Sequence, residues 1–130
     1  MSSVLIDTQA ILWFVEDSPK LSERALALVD SRESHRLLSV ASVWEMAIKI
    51  AIGRLPLKHG TLDDFLRIIT ESDVELLPVM AAEAADVAKL PINGHHDPFD
   101  RLIAAQCLRY DLTLVSIDRE FDAYGVRRVW

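Results

Sequence analysis

Five acidic residues stand where an apolar run gives way or a helical pattern begins: Asp7, Glu45, Asp97, Asp100 and Asp118. Carboxylates held a few ångströms apart repel by an amount on the order of kilocalories per pair, at an effective dielectric of about 20. A hard divalent cation removes that cost, and Mg²⁺ or Mn²⁺ favours carboxylate oxygen and retained water where zinc favours sulfur and imidazole. Such an ion lowers the pKa of a water, holds a phosphodiester oxygen and steadies the leaving oxygen of an in-line displacement. If these acids converge, the chemistry they suit is hydrolysis of a nucleic-acid phosphodiester. Each also has a plain structural role open to it. Ser42-Val-Trp-Glu45 fits a capping box, Asp97 an N-cap, Asp100 the third helical position, and Asp118 the cap of a final turn.

Convergence depends on the elements that carry the acids. Ser3 to Ile6 reads as a short strand ended by Asp7, and Thr8 to Glu16 as a helix apolar on every side between Ala10 and Val15, hence covered twice. Pro19 breaks the chain. Ser22 caps a second helix to about Asp30, with Leu21 and Leu26 at the staple positions. A strand is expected over His35 to Val40 and a third helix over Val43 to Ile52, opened by Ser42 and closed by Gly53. Thr61 caps a fourth helix to about Glu71, Val74 to Leu77 is a strand, and Ala81 to Lys89 a fifth helix closed by Pro91. Asp97-Pro98 opens a sixth helix to about Tyr110, with proline at the favoured first position. Leu112 to Ile117 is the clearest strand, Asp118 to Tyr124 a short helical turn, and Val126 to Trp130 the last strand.

Strands that alternate with helices, and are apolar throughout instead of at every second residue, imply an α/β fold with a mainly parallel sheet covered on both faces. Right-handed crossovers then bring the loops after the strands to one edge, where ligands bind. All five acids fall near that edge. Capping needs one acid per helix but does not need those acids to meet.

Composition narrows the class further. The 130 residues carry 14 Lys+Arg against 20 Asp+Glu, a net charge of -6, which argues against a broad basic grip on nucleic acid. With 51% hydrophobic residues the chain is too apolar for a disordered tail, and its length suits a single domain over residues 1–130 with one ordinary core. The longest apolar run, Leu76 to Ala82, is far short of the roughly 20 residues that cross a bilayer, and no basic leader precedes it. A cytoplasmic protein without membrane contact is the expectation. A lone cysteine, Cys107, excludes an internal disulfide and reads as a buried structural thiol.

Four segments together resemble the PIN-domain ribonuclease toxins of the VapC type. They are Leu5-Ile-Asp7-Thr8, the stretch from Ser39 through Ser42, Glu45 and Lys49, then His96-Asp97-Pro-Phe-Asp100 through Gln106, and Leu114-Val-Ser116-Ile-Asp118. The resemblance spans essentially the whole chain. It implies a three-layer α/β/α sandwich around a parallel sheet of about five strands, Mg²⁺- or Mn²⁺-dependent endoribonuclease activity, a homodimer, and a small cognate antitoxin that blocks the site. Carried over by position, Asp7, Glu45, Asp100 and Asp118 match the acidic quartet, and Asp97 an additional acid that is either a metal ligand or a cap. Asp7, Asp100 and Asp118 are then the direct metal ligands, with Glu45 acting through water. Thr8 matches the hydroxyl beside the first acid. Ser116 stands where threonine is more usual, and keeps the hydroxyl.

Other residues carry weaker signals. Lys49, Arg54 and Lys58 follow Glu45, while Arg101 and Arg119 adjoin two of the acids; these are candidate phosphate contacts against a background of ordinary solvated surface. His95 and His96 precede the acid pair, but an acid-only site needs no imidazole. Trp13, Trp44 and Trp130 could stack on bases, with core or subunit contact the better account of Trp13. Two rival functions remain: a receiver-like phosphoacceptor domain, for which the paired acids and final lysine are missing, and a PIN-like binding module without activity.

Overall fold

Short apolar stretches form the three central strands, which are largely buried between helices, whereas the two edge strands at Glu75–Leu77 and Arg127–Val129 are exposed or half-buried. The computed structural model describes residues 3–58, 60–92 and 96–130. Among these, the strands are β1 (Ser3–Ile6), β2 (His35–Ser39), β3 (Glu75–Leu77), β4 (Thr113–Val115) and β5 (Arg127–Val129), all parallel, in the spatial order β3-β2-β1-β4-β5. Leu5 lies in register with Leu37 on one side and Leu114 on the other, and Ile6 with Val115.

The helices are α1 (Thr8–Val15), α2 (Glu23–Val29), α3 (Val40–Ala51), α4 (Leu62–Glu71), α5 (Ala81–Asp86) and α6 (Pro98–Tyr110), with 3-10 turns at Val87–Lys89 and Arg119–Tyr124. From β1 through β2 to β3 the chain steps in one direction, so right-handed crossovers lay α1 to α4 on one face. Returning from β3 to β4 reverses the direction and sends α5 and α6 to the other. The core divides accordingly. Val4, Ile6, Leu38 and Val115 meet Ile11, Val29, Met46, Phe65 and Ile69, whereas the alternate positions Leu5, Leu37 and Leu114 meet Ile103, Ala104, Phe121 and Tyr124. The result is the expected α/β/α sandwich. Its strand order also differs from the 2-1-3-4-5 order of receiver domains, which removes that alternative.

Several boundaries depart from expectation. The third helix begins three residues early, at Val40, with Ser39 as its cap: Ser39 Oγ accepts from the Ala41 N–H at 3.0 Å. Ser42 therefore caps nothing, and Ser42-Val-Trp-Glu45 is not a capping box. The expected cap at Thr61 holds, in a full capping box with Asp64. The fourth strand contracts to Thr113–Val115, since Ser116 turns its hydroxyl toward Asp7 and Ile117 emerges into solvent. The fifth helix ends at Asp86 and finishes as a 3-10 turn. Leu21 is buried, but Leu26, its expected staple partner, is largely exposed.

Candidate active site

Strand order reverses between β1 and β4, and the crevice beyond the carboxyl ends of two such strands is where open α/β sheets bind ligands. Asp7 is the first residue after β1, and Ser116 the first after β4. From this point a continuous series of hydrogen bonds runs from the backbone of Asp118 through the Asp7 carboxylate to that of Glu45. Ser116 Oγ donates to Asp7 Oδ2 at 2.6 Å and accepts from the Asp118 N–H at 3.0 Å. The Thr8 N–H donates to Asp7 Oδ1 at 2.7 Å. Thr8 Oγ1 lies 2.7 Å from Glu45 Oε1 and 2.8 Å from Ser42 Oγ. With a single proton, the Thr8 hydroxyl gives it to the carboxylate and accepts from Ser42. Lys49 Nζ closes the series on Glu45 Oε2 at 3.0 Å.

Asp7, Thr8, Ser42, Glu45 and Ser116 are all buried, and a cleft of about 220 Å³ opens over them. Its walls include Asp7, Thr8, Gln9, Glu45, Lys49, Arg54 and the half-buried Asp100. Burial pushes the Asp7 carboxyl up to about 6; bonds from Ser116 and Thr8 pull against this, and the charges of Glu45 and Asp118 add to it. Asp7 is thus raised chiefly by its burial, which its two neutral donors only partly offset, with the nearby acids adding a smaller push.

The other expected residues divide clearly. Asp118 stands behind Ser116 and caps the 3-10 turn, accepting from the Glu120 N–H at 2.9 Å, yet it is close enough to raise Asp7. Asp97 is the N-cap of α6, its Oδ1 accepting from the N–H groups of Phe99 and Asp100 at 2.9 and 3.0 Å. It does not line the cleft, so its structural part is to set the helix that presents Asp100. Arg101 is turned away from the expected phosphate role: it donates to the Pro91 and Val87 carbonyls and lies over the Tyr124 ring. Arg119 and His96 are exposed outside the cleft, and His95 lies outside the described residues. Lys58 faces Glu16 at 3.7 Å. Cys107 is buried, its thiol pushed up to about 12 chiefly by desolvation, as expected of a structural cysteine. Trp13 packs against Trp130 with centroids 5.8 Å apart.

Two contributors were not expected. Ser42 orients Thr8, and its cap-like spacing concealed that use. Gln106, within a quoted motif but given no role, accepts from the Ser39 hydroxyl at 2.6 Å and so ties α6, which carries Asp100, to the start of α3, which carries Glu45.

The donor set suits a hard cation: carboxylates and hydroxyls around a space wide enough for an ion that keeps several of its waters. Among the described residues, no three His, Cys, Asp or Glu side chains are gathered into a ready cage; Asp7, Glu45 and Asp100 line the cleft, while Asp97 and Asp118 stand outside its lining.

A parallel α/β/α sandwich with buried acids at its switch point sets the class, and sequence comparison specifies the family. The PIN domain profile matches residues 4–126, and the chain belongs to the PIN domain family. No curated protein sequence matches significantly. Solved structures share the fold over nearly the full length. A chain of VapBC2 from Rickettsia felis, crystallised on a DNA fragment from its promoter, superimposes with a TM-score of 0.70 at 17% identity, covering 98% of this chain and 97% of that one. A chain of DNA-bound VapBC from Salmonella typhimurium gives 0.65 at 19%, covering 99% and 98%. A chain of FitAcB from Neisseria gonorrhoeae gives 0.63 at 24%, covering 98% and 96%.

Proposed function

We propose that the chain is a metal-dependent endoribonuclease and the toxin of a type II toxin-antitoxin pair. One observation carries this: the hydrogen-bonded series that joins Glu45, Asp7 and Asp118 through Thr8 and Ser116, beside a cleft that Asp100 also lines. Asp7, Asp100 and Asp118 would hold Mg²⁺ or Mn²⁺ directly, with Glu45 binding the ion through water and orienting the attacking water, and Asp97 contributing through the cap of α6. When bound, the ion supplies an activated water and neutralises the phosphate. Thr8 and Ser116 keep the acids in place, while Lys49 and Arg54 offer positive charge to the RNA backbone from the cleft wall. Arg119 meets the strand farther out. The reaction leaves a 5′-phosphate and a 3′-hydroxyl.

The partners follow the family and the surface. A small antitoxin is the natural inhibitor, in keeping with the VapBC and FitAB assemblies whose chains share this fold. Val40, Trp44, Ile48 and Ile52 form a bare apolar stripe at helical spacing along α3, which supports a homodimer. No helix among the described residues is long and apolar enough to cross a membrane, and cytoplasmic action fits an RNA target.

Sequencing RNA ends after brief expression of wild type and of Asp7→Asn tests the proposal. New 5′-phosphate ends should appear with wild type alone; ends bearing a 2′,3′-cyclic phosphate would show that the RNA's own 2′-hydroxyl attacked and would overturn the mechanism. Absence of Mg²⁺ and Mn²⁺ binding by calorimetry would leave an inactive PIN scaffold.

A further inference from the structure

Lys49 differs from the other cleft cation in what it touches. Arg54 lines the wall without a bond to any acid of the site, whereas Lys49 Nζ sits 3.0 Å from Glu45 Oε2, one helical turn away on α3. Glu45 is 9% exposed at its side chain and Lys49 is 49% exposed. The carboxylate is fixed in the protein while the ammonium hangs on a flexible stem at the cleft mouth. Thr8 donates to Oε1 of Glu45 and Lys49 holds Oε2, the oxygen with no neutral donor among the described residues. Among the described residues Asp7 has no such counter-ion: its two oxygens rest on neutral donors from Thr8 and Ser116.

Resting on the nuclease reading above, we infer that Lys49 is an exchangeable counter-ion, a positioning residue that holds Glu45 until a divalent cation displaces it and is then free to meet an RNA phosphate. The arriving ion brings two positive charges where the ammonium brought one, and the released ammonium finds an anion, the RNA phosphate, in the same cleft. Metal and ammonium compete for one carboxylate, so removing the ammonium must tighten metal binding. Removing a cation that merely shares the cleft should do far less, because solvent and salt screen it.

Calorimetric titration of the full chain with Mn²⁺ tests this, using wild type, Lys49→Gln, Lys49→Arg, Arg54→Gln and Asp7→Asn. Lys49→Gln should bind Mn²⁺ about tenfold more tightly, Lys49→Arg close to wild type, and Arg54→Gln within about twofold. Thermal melting supplies an independent readout. In chelator Lys49→Gln should melt below wild type, since Glu45 has lost its counter-charge, and saturating Mn²⁺ should close the gap. A merely structural lysine would leave the gap open with metal present and the affinity unchanged or weaker; that result overturns the inference, as does an equal gain in Arg54→Gln. If wild type and Asp7→Asn bind Mn²⁺ alike, or neither binds, the nuclease reading itself fails and this inference with it.

Discussion

Two buried carboxylates near the same edge of the sheet have opposite surroundings. Glu83 on α5 is fully buried and accepts from the Met80 N–H at 2.7 Å and Gln106 Nε2 at 3.3 Å, with the Tyr110 hydroxyl and the Arg109 charge nearby. Asp7 is buried nearly as deeply, has two neutral donors, and faces Glu45 and Asp118. Glu83 has its partners built in. Asp7 is left with charge that an external cation would relieve. Burial of an acid is therefore no sign of a site by itself; the sign is like charge gathered at a switch point beside an open cleft.

The contrast breaks most sharply under substitution. Asp7→Asn should lower RNA cleavage on the order of 10³-fold, while its melting temperature in chelator stays equal to wild type or rises by a few degrees. Loss of cleavage together with a lower melting temperature would make Asp7 a brace like Glu83. Glu83→Ala should show the reverse pattern. It strands donors that nothing else in the core can satisfy, at a cost of about 3 kcal/mol in denaturant unfolding, and leaves Mn²⁺ affinity close to wild type. An equal loss of metal binding in Glu83→Ala would erase the distinction.

How much of this the sequence disclosed depended on range. The central apolar strands, the helix caps at Ser22, Thr61 and Asp97, and the five acidic positions at element ends all follow from local pattern and spacing, whereas the choice of four of those acids as the quartet rests on the family resemblance. The misplaced start of α3 shows the limit. Ser39 and Ser42 are both acceptable caps locally, and the choice is settled by Thr8, 34 residues away, which requires the Ser42 hydroxyl. Glu83 and Gln106 were missed for the same reason: their partners lie 23 residues apart in the chain, and the Ser39 bond reaches across 67. Arg101 looked like a phosphate contact because it adjoins Asp100, but side chains one apart on a helix point about 100° apart. Convergence of acids was visible through topology. The hydroxyls that connect them were visible only as isolated polar residues.

Those hydroxyls sharpen the comparison, since they connect one acid of the site to the next, whereas the groups around Glu83 satisfy a single carboxylate. Thr8→Val preserves the side-chain shape and the backbone bond to Asp7 but removes the donor to Glu45. Metal affinity should weaken by about 10- to 100-fold, the usual cost of losing an outer-shell partner, and Thr8→Ser should restore most of it. Equal titration curves for Thr8→Val and wild type would mean that Glu45 is oriented without Thr8.

The smallest expected effect is the most direct measure of the charge on Asp7. Its carboxyl is raised from 3.8 to about 6 on folding, so the folded chain holds a proton there that the unfolded chain has released. The stabilisation is complete below about pH 4 and is lost as pH rises through about 6. Without metal, wild type should therefore gain on the order of 1 kcal/mol on passing from pH 7 to pH 5 relative to Asp7→Asn, which has no such proton to bind. Saturating Mn²⁺ should reverse the trend, because the ion requires the ionised carboxylate and competes with the proton for it. Denaturant unfolding of both proteins at the two pH values, in chelator and in Mn²⁺, measures all four quantities. A difference between wild type and Asp7→Asn that is flat with pH in chelator would place Asp7 with Glu83, as an acid whose partners are already in the protein.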